Sequence, residues 1–335
     1  MGLNEKFFRS ADEDEGFFNT VLYTGNGGTK EVTGVGFQPD LVWIKRRNGT
    51  GDPGMVDTLR GNNSALFTNS TSAESTLTGG NISMDVDGFD INTYGSTWAN
   101  LSSGTYAAWC WKAGGAAVSN TDGSIASQVS ANVDNGFSVV KWSGNNNVAN
   151  IGHGLNSAPQ IVIRKSLNLL NSWAFDTSAV DGSWDYLFLN TTAAKANHSS
   201  ISLPTSTTFN TSGTSYNSSS MIAYCFHSVA GVSKVGSYTG NGTTGQLITT
   251  DFQPRFLLVK CSSGSLSYHD WYIFDNKRTP SNPSDAYLRA NESTAEVQSP
   301  TYNPTFESTG FRWEPGDNSG GWNASGFTYI YYAIA

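Results

Sequence analysis

Charge is scarce in this sequence: Asp, Glu, Lys and Arg make up 14% of 335 residues, against roughly 25% in an ordinary soluble domain. The balance is acidic, with a net charge of −8 and a pI near 4.9. A groove that tracks phosphates needs the opposite sign, so nucleic acid is not an expected partner. Three cysteines are too few for a disulfide framework, and no C-x-x-C pair occurs. No run approaches the roughly 18 apolar residues of a membrane span, so no membrane insertion is expected. The first 16 residues carry an acidic cluster in place of a signal peptide's apolar core, so folding in a cytoplasm is expected. The four histidines are scattered, with no H-E-x-x-H and no Ser-His-Asp context. No segment of helical period is long enough to build a helical layer.

Gly, Ser, Thr and Asn take the place of the missing charges, and aromatics reach 13%. That is the composition of many short strands joined by many tight turns. The dominant feature is repetition. An opening block is written as YTGNGGT at Tyr23, WSGNNNV at Trp142 and YTGNGTT at Tyr238. An apolar run ending in Lys follows each (Lys45, Lys165, Lys260), and a closing block ends each copy: TYAAWCWKA, SMIAYCFHS and FTYIYYAIA. Between them lie an Asp (Asp57, Asp176, Asp275), a Leu (Leu66, Leu187, Leu288), an Asn (Asn69, Asn190, Asn291) and a Phe (Phe89, Phe209, Phe311). So many anchors in one order mean three copies of a module of roughly a hundred residues.

The expected organisation is residues 1–16 as an N-terminal attachment segment, repeat 1 over 17–115, repeat 2 over 136–231 and repeat 3 over 232–335. Residues 116–135, rich in Gly, Ser, Ala and Asn, read as a linker. Each repeat reads as all-β. DLVWIK, QIVIRK and RFLLVK are short apolar runs that follow a Pro at the strand entrance, where no ladder hydrogen bond is forfeited. In YAAWCWKA both faces are apolar, which marks a central strand with something covering its outer side. Seven or eight strands per repeat suit three tandem antiparallel β-sandwich or jelly-roll modules.

Residues shared by all copies are read as serving the fold. The Lys and Asp sets read as a structural ion pair at the strand rim or as two solvated ends, and the repeated Asn as a backbone partner at a strand exit. Cys110 and Cys225 read as buried free thiols. DVDGFD (Asp85, Asp87, Asp90) is the nearest approach to a calcium loop, but its place in the repeat favours a turn; no metal or other cofactor is expected. A glycosidase needs two carboxylates about 5–9.5 Å apart, and no strand alternates acids in that way, so the chain reads as non-enzymatic. What remains is a binding surface. Trp98 and Trp322 lie in polar loops just before a closing strand, either as ligand-stacking platforms or as lids packed on their own cores. Arg46 and Arg47 occur only in repeat 1 and could meet an acidic glycan or a neighbouring subunit. Phe7, Phe8, Phe17 and Phe18 flank a charged stretch and suit a docking peptide.

The cassette YTGNG…FQPxxxxxK…GF…YIYYA, with the stretches GSIASQVSANVDNGFSVVKWSG and YCFHSVAGVSKVGSYTGNG, resembles a β-sandwich repeat of marine bacteriophage virion proteins of the tail-fibre type. The resemblance implies a fold similar to the concanavalin A or laminin G class, in which first and last strands pair. It also implies a virion protein assembled in the host cytoplasm, contacting other tail or capsid proteins and a host surface glycan or receptor. Such proteins are homo-oligomers, often trimers. A tail-fibre or tail-tip host-recognition protein is the first expectation. A capsid decoration protein docked by its N-terminal segment is the second, and a polysaccharide depolymerase a remote third.

Overall fold

A computed structural model describes residues 16–335 apart from 93–95, 214–215, 244, 265–268, 300–302 and 314–320. The described residues form an all-β sandwich fold of 28 antiparallel strands. Repeat 1 holds β1 (Phe18–Thr24), β2 (Thr29–Val32), β3 (Leu41–Arg46), β4 (Gly54–Asp57), β5 (Ser64–Phe67), β6 (Ser75–Thr76), β7 (Ile82–Asp85), β8 (Gly88–Asn92) and β9 (Thr105–Trp111). Next come β10 (Val118–Asn120), β11 (Ser127–Asn132), β12 (Phe137–Ser143), β13 (Ala149–Gly152), β14 (Ile161–Ser166), β15 (Ala174–Thr177), β16 (Asp185–Phe188), β17 (Ala196–Asn197), β18 (Thr208–Thr211) and β19 (Ser220–Phe226). The last third holds β20 (Ser233–Thr239), β21 (Leu247–Thr249), β22 (Phe256–Cys261), β23 (Tyr272–Asp275), β24 (Ala286–Arg289), β25 (Val297–Gln298), β26 (Pro304–Glu307), β27 (Gly310–Trp313) and β28 (Thr328–Ile334).

One strand order recurs. The large sheets run β1-β9-β3-β4-β5-β6, β12-β19-β14-β15-β16-β17 and β20-β28-β22-β23-β24-β25, each backed by a small sheet (β2-β8-β7, β13-β18, β21-β27-β26). The opening and closing strands of each repeat pair directly, as Phe18 with Trp111, Phe137 with Phe226 and Ser233 with Ile334. In the stretch expected as a linker, nine of the twenty residues are strand. β10 and β11 extend the second large sheet beyond β12, with Val118 opposite Val129 and Val129 opposite Val140. Its Gly/Ala/Ser composition hid the alternation of Ser127, Val129 and buried neighbours that a strand requires.

Alternation along the central strands builds two kinds of core. On β9, Tyr106, Ala108 and Cys110 face the small sheet of their own repeat, while Ala107, Trp109 and Trp111 face away from it. The outward faces of all three large sheets meet in one shared core. Equivalent positions converge there: Leu41 with Ile161 and Phe256, Trp43 with Ile163 and Leu258, Met55 with Phe175 and Ile273. Other repeats are therefore what covers the second apolar face of each closing strand. Phe17 and Phe18, expected in a docking peptide, are buried in this core, with the Phe18 ring 5.2 Å from Phe256. Phe7 and Phe8 lie outside the described residues.

Polar contacts between repeats run in one cyclic direction. The ammonium of Lys45 donates to the Glu292 carbonyl of repeat 3 (2.6 Å), that of Lys165 to Thr71 of repeat 1 (3.4 Å), and that of Lys260 to Thr192 of repeat 2 (3.1 Å). The backbone repeats the pattern: Glu296 N–H to Arg47 C=O, Glu74 to Leu167, Lys195 to Ser262. Repeat 1 leans on 3, 2 on 1, and 3 on 2, so the contacts close a ring with threefold pseudosymmetry. The lysines thus neither pair with the repeated aspartates nor reach solvent. Carbonyl oxygens hold their ammonium groups below the surface, and burial lowers their pKa, Lys45 to about 7 and Lys165 and Lys260 to about 8.

Candidate functional site

Register shows that the aspartate set is not one set. Asp57 faces Leu41 across the β3–β4 pair, and Asp275 faces Phe256 across β22–β23, while the corresponding partner of Ile161 is Thr177. Asp176 lies one residue earlier, and a one-residue shift on a strand places a side chain on the opposite face. Asp57 and Asp275 stay at the ring interfaces. Each caps two backbone amides, binds the Arg three residues on (Arg60, Arg278), and accepts a bond from the following repeat in the ring: Tyr224 Oη to Asp57 (2.7 Å), Trp109 Nε1 to Asp275 (3.0 Å). Asp176 instead points into the sandwich of repeat 2, where the other repeats place Val56 and Phe274.

A second substitution meets it there. Arg164 on β14 occupies the position of Ile44 and Val259. Its side chain is 1% exposed; Nε bonds Asp176 Oδ2 at 2.5 Å and Nη1 bonds Thr211 Oγ1 at 2.8 Å. Nη2 has no partner among the described residues. His198, just past β17, brings Nε2 to 2.8 Å from the other Asp176 oxygen, and its ring lies 4.8 Å from Tyr186. Tyr216 covers the guanidinium at 5.4 Å and donates its hydroxyl to Ser172 C=O. Burial alone would raise the Asp176 carboxyl, but the Arg164 guanidinium and His198 outweigh it and hold the group below its usual value. Burial pushes the Tyr216 hydroxyl up to about 12, so it stays a donor at any ordinary pH.

These groups line a cavity of about 230 Å³ whose wall includes Arg164, Asp176, Tyr186, Phe188, His198 and Tyr216. The other two repeats fill the same region with indole. Trp98 packs on Gly54, where a Cβ would collide with the ring, and lies edge-on to Phe67 at 5.5 Å. Trp322 stacks on Trp313 at 5.6 Å and meets Tyr272 edge-on at 4.7 Å. Tyr216 is the structural counterpart of Trp322, because each precedes an Asn (Asn217, Asn323) whose amide ties down the opening loop. Trp98 and Trp322 are 8% and 5% exposed, so both are lids on their own cores.

The other expected residues have structural partners. Arg47 makes a bidentate pair with Glu296 across the ring, both bonds 2.9 Å, and Arg46 bonds Asn48 and Thr50 of its own loop. Asp87 of the DVDGFD turn accepts the amides of Gly34 and Gly36, which lower its pKa, and Asp85 accepts the amide of Val86. Among the described residues no group of three His, Cys, Asp or Glu is placed to hold a metal. Cys110 and Cys225 are fully buried, and burial raises both thiols well above their ordinary value. The cluster of Arg164, Asp176, Tyr186, His198 and Tyr216 was not anticipated. Its legible signal was Arg164, a charge inside an apolar strand where both sister strands are aliphatic.

Residues 13–335, spanning the three repeats in one match, fit the family model described as Domain of unknown function (DUF7483), and the chain belongs to that family. No curated protein and no solved structure matches it.

Proposed function

We propose that this chain is a non-enzymatic virion protein of the receptor-facing kind, holding a host-surface glycan in the cavity of repeat 2. One observation carries the reading: two repeats close this space with tryptophan, and the third keeps it open and lines it with an ion pair, a histidine and two tyrosines. A buried Arg–Asp pair is a poor way to stabilise a core, since well-packed apolar residues do as well or better. Its presence at positions that are aliphatic or aromatic in the sister repeats favours a binding role over a packing one. The site also rests on strands of a sheet whose far face is fixed in the shared core, so its geometry is preorganised. Against catalysis, Asp176 is the one carboxylate in the cavity wall, and both its oxygens are engaged.

The ring supports a second reading. A chain with internal threefold pseudosymmetry can sit on a threefold position of a capsid, which is the geometry of a decoration protein. Cryo-EM of particles, with gold-labelled antibody against the chain, separates the two. Density at the tail tip or fibres supports the receptor-facing reading, and density spread over the shell lattice supports decoration. Absence from particles overturns both.

A further inference from the structure

Resting on the receptor-facing reading, we infer that the repeat 2 cavity takes one neutral pyranose unit through a pair of vicinal hydroxyls, and discriminates against acidic sugars. The size, polarity and pairing of the cluster lead there. About 230 Å³ is room for a single sugar ring with little to spare. Tyr186, Phe188 and Tyr216 supply apolar ring faces, against which the C–H face of a pyranose packs. Arg164 Nη2 is a donor without a partner in a side chain 1% exposed. Beside it, Asp176 accepts one bond on each oxygen and retains a lone pair on each. A donor and an acceptor side by side complement two adjacent hydroxyls, one accepting from the guanidinium while the other donates to the carboxylate.

Charge sets the selectivity. Arg164 and Asp176 cancel, so with His198 neutral the cavity offers no net positive charge to a carboxylate ligand, and an anion entering it would meet the Asp176 carboxylate. The arginine pair first suggested as an acidic-glycan contact is committed elsewhere, Arg47 to Glu296 and Arg46 to its own loop. The sister repeats supply the control. In each, an indole fills the space that the sugar would occupy.

The test is binding of methyl glycosides of glucose, galactose and mannose, against glucuronate and N-acetylneuraminate, to the full chain, followed by saturation-transfer NMR and calorimetry. The expected result is saturable binding of at least one neutral glycoside. Tyr186→Ala, at a half-buried ring, should weaken it roughly tenfold, the loss of one stacking contact. Tyr216→Trp, which installs the residue of the sister position, should abolish it while leaving the thermal midpoint unchanged or higher. Binding of the acidic sugars instead, binding that survives Tyr216→Trp in a folded protein, or no binding by any of the five would each overturn the inference. Particle position is read separately. A chain found on the tail that binds none of the five sugars sinks this inference and the glycan part of the proposed function but leaves its virion position standing, and a chain that binds the sugar but is absent from particles sinks the virion reading alone.

Discussion

A single missing amide hydrogen explains one irregularity of the ring. Asn190 and Asn291 accept the backbone N–H of Trp173 and Trp271 through their side-chain oxygens. The same place in repeat 1 is Pro53, which has no N–H, and Asn69 Oδ1 is left buried without a partner. The role expected of the Asn from sequence thus holds in two copies and lapses in the third for a chemical reason. The lysines show the opposite limit. Their recurrence was plain in the sequence, but nothing local revealed that each would be buried among carbonyl oxygens of another repeat. Their depressed pKa values have a measurable sign. Unfolded lysine keeps its proton up to about pH 10.4, whereas the folded groups lose theirs near pH 7 to 8. Between these limits the unfolded state binds more protons, so stability rises with pH there, by at most about 1.4 kcal/mol per pH unit for each lysine. Urea unfolding at pH 7.5, 8.5 and 9.5 should show the rise, and Lys260→Met should lower its slope while Lys45 and Lys165 keep the remainder. An identical slope in the variant would mean that Lys260 contributes none of it.

Strands carry the next level of the argument. The apolar runs and the Pro entrances were legible because period-two alternation and turn chemistry are local, whereas the pairing of first and last strands was implied by the family resemblance alone. Register was not. Asp176 aligns with Asp57 and Asp275 by eye, yet lies one position off in the ladder and so belongs to the other face. That one slip decides which repeats have an interface carboxylate and which has a cavity. It yields a prediction. Trp109→Phe and Tyr224→Phe each remove a bond to a buried carboxylate (Asp275, Asp57), and each should destabilise the chain by about 1.5–3 kcal/mol. Denaturant titration of the two variants measures this; a loss under 0.5 kcal/mol (about the error of such a titration) would show that Arg60 and Arg278 satisfy the carboxylates unaided. The same slip accounts for what the sequence concealed about the site. Arg164 was visible as an anomaly, but its partner was hidden inside a false alignment.

For the whole molecule, the sequence indicated three modules, whereas the structure adds to their separate cores a fourth that belongs to none of them alone. Repeat 3 would expose Phe256, Leu258, Trp271, Ile273, Ile330 and Tyr332 if cut free. An exposed apolar face of that kind promotes association. Residues 232–335 expressed alone should therefore aggregate or remain unfolded, and the full chain should melt in a single calorimetric transition with equal van't Hoff and calorimetric enthalpies. Three separate transitions would mean that the shared core does not couple the repeats. Trp173 and Trp271 belong to this level as well. Each indole N–H reaches the preceding repeat, at Phe67 and Phe188 carbonyls.

Joining the three copies in one polypeptide also changes the arithmetic of attachment. A homotrimer must display every surface feature three times, because one gene sets all three faces. Here each face is free to differ, and the open cavity appears once where two tryptophans close its counterparts. The body is threefold in shape but single in valence. On the receptor-facing reading proposed above, any gain from multivalent attachment must then come from how many chains are carried together, and how they are spaced, rather than from the symmetry within one chain.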